Sequence, residues 1–242
     1  MNSISDKVKK ILGRMSSLAS GKEGAAVGID IGSSAIKVVE IKIKKGKMVL
    51  ETYGSVALGP YDSIDVGRVT NLPVEKIAEA LKEVLKQSGV TNANGAFSIP
   101  VQSSLIFTIE LPATVKEREM ATIVPIEVRK YIPLPITEVS LDYFVLPERE
   151  SSFEEMNVIP DNSGIPQKRE EKTNVLIVAT QNDAISKYRS IVSMSSLTAS
   201  FFEIEIFSSI RSNFEHELSP ALLIDFGASR TKLSIVEFGM VK

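Results

Sequence analysis

The strongest constraint on this chain is a short pattern that occurs twice, once near each end. The first copy is Ala26-Val-Gly-Ile-Asp-Ile-Gly-Ser-Ser-Ala-Ile-Lys-Val-Val-Glu40. Two apolar, β-branched runs flank the small polar corner Gly32-Ser33-Ser34, which reads as strand, tight turn, strand with Asp30 closing the first strand. Amide N–H groups turned into such a corner bind anions, so the turn can cradle a phosphate. Asp30 would then hold a hydrated Mg²⁺ against it, because Mg²⁺ keeps several waters and needs few carboxylates. Lys37, seven residues after Asp30, points a charge back at the turn. The second copy is Ala221-Leu-Leu-Ile-Asp-Phe-Gly-Ala-Ser-Arg-Thr-Lys-Leu-Ser-Ile-Val236, with Asp225 and Gly227 in the same grammar. One such hairpin is a common object. Two of them, each opening half of a duplicated domain, would face each other across a nucleotide.

Composition excludes several other chemistries. The 242 residues are 43% hydrophobic and 24% charged, as in an ordinary globular protein of one or two domains. A net charge of −2 gives no bulk reason to expect nucleic acid as a partner. With no Cys and one His, neither a disulfide framework nor a thiolate or imidazole zinc site is available, which suits the cytosol. No apolar run reaches the length of a membrane span.

Residues 1–25 stand apart. Ile4, Val8, Ile11, Leu12, Met15 and Leu18 fall on one helical stripe, and Lys7, Lys9, Lys10, Arg14 and Lys22 outweigh Asp6 and Glu23. Such a basic amphipathic segment can lie on an anionic membrane surface, or it can dock on protein. Strands are then expected at 26–31, 35–43 and 47–57, with Gly46 in the last turn. A loop at 59–72 and a helix from Pro73 to Gln87 follow, the latter stopped by Gly89. Further strands are expected at 96–100 and 105–111. Thr114 and Glu117 form a capping-box pattern before a helix running toward Tyr131, which Pro125 should kink. After a strand at 139–146, the polar, charged stretch 147–173 reads as a loop or hairpin tip. A strand at 174–180, a helix at 184–194, a short strand at 201–204 and a helix at 205–216 lead into the second hairpin.

The paired hairpins resemble those of the actin, sugar kinase and Hsp70 superfamily. The segment Glu117-Arg-Glu-Met-Ala-Thr-Ile-Val-Pro-Ile-Glu-Val-Arg-Lys-Tyr-Ile-Pro-Leu-Pro-Ile-Thr-Glu-Val-Ser-Leu-Asp-Tyr-Phe-Val-Leu146 narrows the likeness. It closely resembles the PilM family of type IV pilus assembly, from about Ala26 to the end. The resemblance implies an α/β fold whose first half is actin-like and ribonuclease H-like, with an inserted α+β subdomain of the kind PilM shares with FtsA. On that basis 26–100 plus 174–204 form the first subdomain and 101–173 the inserted one. Residues 205–242 carry a linker helix and the first hairpin of a second half, which the family continues further. The adenosine-binding part of that half is then expected to be missing, with weaker ATP affinity as a result.

The resemblance also implies ligands. ATP phosphates would meet Asp30, Gly32, Ser33, Ser34 and Lys37 on one side and Asp225, Gly227, Ala228 and Ser229 on the other. Asp30 and Asp225 would reach Mg²⁺ through water. Lys37 could equally be an exposed strand lysine. Glu203 and Glu205, where related ATPases carry a water-orienting residue, read as solvated helix-start carboxylates. His216 reads as a surface residue. No catalytic residue is expected, and hydrolysis need not be part of the role. The implied partner is the N-terminal cytoplasmic tail of a PilN-like inner-membrane protein, held in a groove between the first and inserted subdomains. Ile126, Glu127, Tyr131 and Tyr143 are the candidate contacts, although the tyrosines could be core residues instead. The implied location is cytoplasmic, peripheral to the inner membrane. The alternative is an FtsA-like membrane-tethered filament protein; a sugar or acetate kinase lacks support in the inserted segment.

Overall fold

Alternating apolar residues along β1 (Ala25–Ile31) put Val27, Ile29 and Ile31 on one face and leave Gly28 and Asp30 on the other. The computed structural model, which describes residues 25–146, 172–214, 219–237 and 239–242, builds its first sheet around this strand. β2 (Ala35–Lys44) pairs antiparallel with β1, and β3 (Lys47–Ala57) pairs antiparallel with β2. The β2–β3 turn needs left-handed backbone at both central positions, and Lys45 (φ 52°) and Gly46 (φ 74°) supply it. β4 (Asn94–Ile99) runs parallel to β1, and β8 (Thr198–Ile204) runs parallel to β4. The resulting order, β3-β2-β1-β4-β8, is that of a ribonuclease H-like half.

Helix α1 (Val74–Gln87) starts after Pro73 and buries Ile77, Ala80, Leu81 and Val84. Its end is closed by the amide of Val90 on the carbonyl of Leu85, with Gly89 at φ 65° making the left-handed step. These side chains share one core with Val27, Ile29, Ile36, Val38 and Phe97, and with Tyr188 and Ile191 of α3 (Asn182–Met194). Each fully buried Leu, Ile or Phe contributes about 1.5–3 kcal/mol. One carboxylate sits in this sheet fully buried: Glu40 accepts from the Thr91 amide at 2.8 Å and the Thr91 hydroxyl at 2.9 Å. Burial of that charge is tolerable because both oxygens are engaged and the Lys42 ammonium stands 4.0 Å away.

The chain divides into two compact units, one running to Ser103 and resuming at Asp183, the other Ser104–Asn182. The second unit contains β5 (Ser104–Pro112), α2 (Glu117–Glu127), β6 (Val139–Val145) and β7 (Lys172–Gln181), with sheet order β5-β7-β6. This corrects the expected boundary, because the strand assigned to the first subdomain as 174–180 is the central strand of the inserted sheet. Its run Val175–Thr180 is buried at every position, as a strand covered on both faces should be. A continuous apolar run says "central" but does not say in which sheet.

The capping box also moves. Helix α2 begins after Lys116, whose amide donates to the Glu119 carboxylate at 3.1 Å, and not after Thr114. Pro125 lies within α2. The helix continues as a 3-10 turn at Val128–Lys130, closed by the Tyr131 amide on the Val128 carbonyl at 3.0 Å. Finally, α4 (Glu205–Asn213) leads toward the second hairpin, β9 (Ala221–Phe226) and β10 (Thr231–Glu237), with the two-residue β11 (Met240–Val241) beside β10. Expectations for residues 1–24, for 147–171 and for His216 lie outside the described residues.

Candidate functional site

The two hairpins repeat each other in geometry as well as in sequence. In the first, Asp30 lies opposite Lys37 across the β1–β2 ladder; in the second, Asp225 lies opposite Lys232 across β9–β10. The Gly32 amide donates to the Ala35 carbonyl at 3.0 Å, and the Gly227 amide to the Arg230 carbonyl at 3.0 Å. A methyl group at either glycine would meet that same carbonyl oxygen, at 3.1 Å for Gly32 and 2.8 Å for Gly227. Both corners close tightly on the glycine: a Cβ at Gly227 would force a shift, and one at Gly32 would be crowded.

The first corner is braced from behind by the loop after β3. The Ser33 carbonyl accepts from the Thr70 amide at 2.9 Å and the Thr70 hydroxyl at 3.0 Å, while the Ser34 carbonyl accepts from the Leu58 amide at 2.8 Å. With its carbonyls committed, the corner keeps the Ser33 and Ser34 amides available for an anion. Gly32, Ser33 and Thr70 line a cavity of about 210 Å³ together with Asn71, Lys187 and Tyr188. Sequence reading treated 59–72 as a plain loop and missed this bracing role, which Thr70 alone could not announce.

Tyr188 lines the cavity at the first corner, and Glu205 stands at the second hairpin. Burial, and then the carboxylates of Asp30 and Glu205, push the Tyr188 hydroxyl well above the usual tyrosine range. Glu205 accepts from the Val101 amide at 2.9 Å and pairs with Lys232 at 2.7 Å; Lys232 also pairs with Asp225 at 2.9 Å. Burial works against the Lys232 ammonium, but its bonds to Glu205 and Asp225 prevail and raise its pKa. Glu203 pairs with Arg211 and accepts from the Ser208 hydroxyl at 2.6 Å. Neither glutamate is the solvated helix-start carboxylate the sequence suggested, since both are engaged by basic partners. Lys232 escaped notice in the sequence, although its seven-residue offset from Asp225 copies that of Lys37 from Asp30. Among the described residues no three acidic or imidazole side chains converge as metal ligands. A hydrated Mg²⁺ held by one carboxylate and by phosphate oxygens is the arrangement this donor set fits.

Of the second set of candidates, Tyr131 and Tyr143 address the same face of the inserted sheet. Phe107, Ile177 and Tyr143 form one cross-strand row, and the Tyr131 ring lies 5.4 Å from the Phe107 ring. Tyr143 packs against the core of that unit, whereas Tyr131 is 50% and Ile126 59% exposed. The Glu127 carboxylate pairs with Lys130 at 2.7 Å, and that ammonium lies 5.3 Å from the centre of the Tyr131 ring.

Over residues 28–241 the sequence matches the family described as type IV pilus assembly protein PilM. The chain belongs to that family. Among solved structures, it is similar to a chain of the "PilM–PilN type IV pilus biogenesis complex", with TM-score 0.65 and 21% identity. That match covers 90% of the present chain and 59% of the other, so the chain spans less than two thirds of that relative's length. A second similar structure is the cytoplasmic domain of EpsL, an inner-membrane component of the type II secretion system of Vibrio cholerae. Its TM-score is 0.51 with 9% identity, covering 88% of this chain and 68% of that one. At these identities the two structures speak for the fold, and the fold they speak for is the actin-like one expected of the PilM family. No helix among the described residues is long and apolar enough to cross a membrane.

Proposed function

We propose that this PilM-family chain is a nucleotide-binding scaffold of the type IV pilus inner-membrane platform. It works on the cytoplasmic side and holds the N-terminal tail of a PilN-like membrane protein. What carries the reading is the duplicated hairpin: two Gly corners with the same closing hydrogen bond and the same Asp–Lys register. Asp30, Gly32, Ser33, Ser34 and Lys37 would hold phosphates from one side, and Asp225, Gly227, Ala228 and Ser229 from the other. ATP would supply the phosphates, and Mg²⁺ would neutralise them. Every other contribution is the protein's: amides at the corners, ammonium groups at Lys37 and Lys232, and a brace at Thr70.

Tail capture is supported by the likeness to a chain from a PilM–PilN complex and by exposed apolar side chains on the inserted unit. Ile126 and Tyr131 would take apolar residues of an extended tail, and Glu127, once released from Lys130, would meet a cation. The test is calorimetry with a synthetic PilN-like tail peptide. Tyr131→Ala should weaken binding by about 1–3 kcal/mol if Tyr131 anchors the peptide. The melting temperature should change little, since half of the ring is already in water. A Tyr131→Ala chain that binds as tightly as the parent would move the tail elsewhere.

A further inference from the structure

The two hairpins share residues and register but differ in electrostatics. In the first, Lys37 is 69% exposed and stands 3.7 Å from Asp30, a loose pair in water. In the second, Lys232 is only 23% exposed and lies within 2.9 Å of two carboxylates, Asp225 and Glu205. The far oxygen of Glu205 is fixed by the Val101 amide, so this carboxylate is not free to swing away. Coulomb attraction grows as separation and effective dielectric fall, and both are lower at the second hairpin. An ammonium is a compact point charge with three donors, two of which are used here. It is also tethered to the strand facing Asp225, so it pays no translational entropy to remain there, unlike a free divalent ion.

We propose that Lys232 is the resident counter-cation of the second hairpin. It occupies the position beside Asp225 that a hydrated Mg²⁺ would otherwise take, and its remaining N–H is left for a phosphate oxygen. The divalent ion then belongs to Asp30 alone. This inference rests on reading the hairpins as phosphate turns, and it splits their labour: metal charge at the first, lysine charge at the second.

The experiment is a Mn²⁺ titration followed by water-proton relaxation, on the full chain without nucleotide. Lys232→Met should tighten Mn²⁺ binding on the order of tenfold, because two neighbouring carboxylates lose their internal cation. Lys232→Arg, which keeps the charge, should bind as the parent does. No gain in Lys232→Met, or an equal gain in Lys232→Arg, would overturn the proposal. Should Lys232→Met fail to fold, the parent chain still decides. Acetylation read by mass spectrometry should be slower at Lys232 than at Lys37 and should stay slow in saturating Mn²⁺. Equal rates, or release of Lys232 by Mn²⁺, would sink it. A separate Mg–ATP titration of the same proteins tests the nucleotide reading; its failure would leave the manganese result intact.

Discussion

At the scale of single residues, four positions make specific demands. Gly227→Ala should destabilise by about 1–3 kcal/mol, since the new methyl would stand 2.8 Å from the Arg230 carbonyl oxygen; Gly32→Ala, at 3.1 Å, should cost less. Urea denaturation of the two variants side by side checks the order. Glu40→Gln can still accept from the Thr91 amide and can donate its NH₂ to the Thr91 hydroxyl oxygen, so it loses only the charge on these bonds and should cost about 1 kcal/mol in the same measurement. Tyr188 makes a prediction about pH. Its folded pKa is raised by burial and by the Asp30 and Glu205 carboxylates, so the unfolded chain releases that proton first. The unfolded state then binds fewer protons than the folded one, and stability falls as pH climbs above the ordinary tyrosine value. Tyr188→Phe should flatten that part of the alkaline decline in denaturation curves taken at rising pH. Of these positions, the sequence announces only the glycines, because a D-x-G corner between apolar runs has few other uses. Glu40 looks like a surface strand residue until its face is known, and Tyr188 looks like any helical tyrosine.

At the scale of elements, periodicity located nearly every strand and helix, and the errors lie where a local signal had two possible meanings. Thr114 and Glu117 have capping-box spacing, but Lys116 and Glu119 make the observed bond two residues later. Pro125 was expected to kink its helix, and the chain instead ends α2 at Glu127 and tightens into a 3-10 turn. Pro125→Ala would give the Ala121 carbonyl an amide donor again. The expected outcome is a longer α-helix with more far-UV ellipticity and a higher melting temperature, worth up to about 3 kcal/mol if the proline strain is unrelieved. A melting temperature that falls would mean the 3-10 turn serves the packing of Val128, which is fully buried. The candidate site was half legible for a related reason. The corner residues are contiguous in sequence and Lys232 lies on the same hairpin as Asp225, whereas Thr70, Tyr188 and Glu205 join them only through the fold.

At the scale of the whole chain, the family resemblance supplied the architecture and misplaced one strand, and that strand governs how the protein comes together. β7 is the last piece of its unit to be synthesised, yet it lies between β5 and β6, whose edges pair with nothing else in their three-stranded sheet. The other unit is likewise interrupted, because β8 joins β4 only after the entire second unit has been made. Neither sheet can close early. Pairings of such large sequence separation pay loop-closure entropy before they are rewarded, which slows folding. A nascent chain stopped before Lys172 would carry two unpaired strands with exposed apolar faces, the kind of surface chaperones bind and aggregates grow from. Ribosome-bound chains arrested at that length should therefore be protease-sensitive throughout 104–145, and chains long enough to free β7 from the exit tunnel should become resistant there. Each of these two sheets thus waits for a strand made late: the β5-β7-β6 sheet for β7, and the five-stranded one for β8.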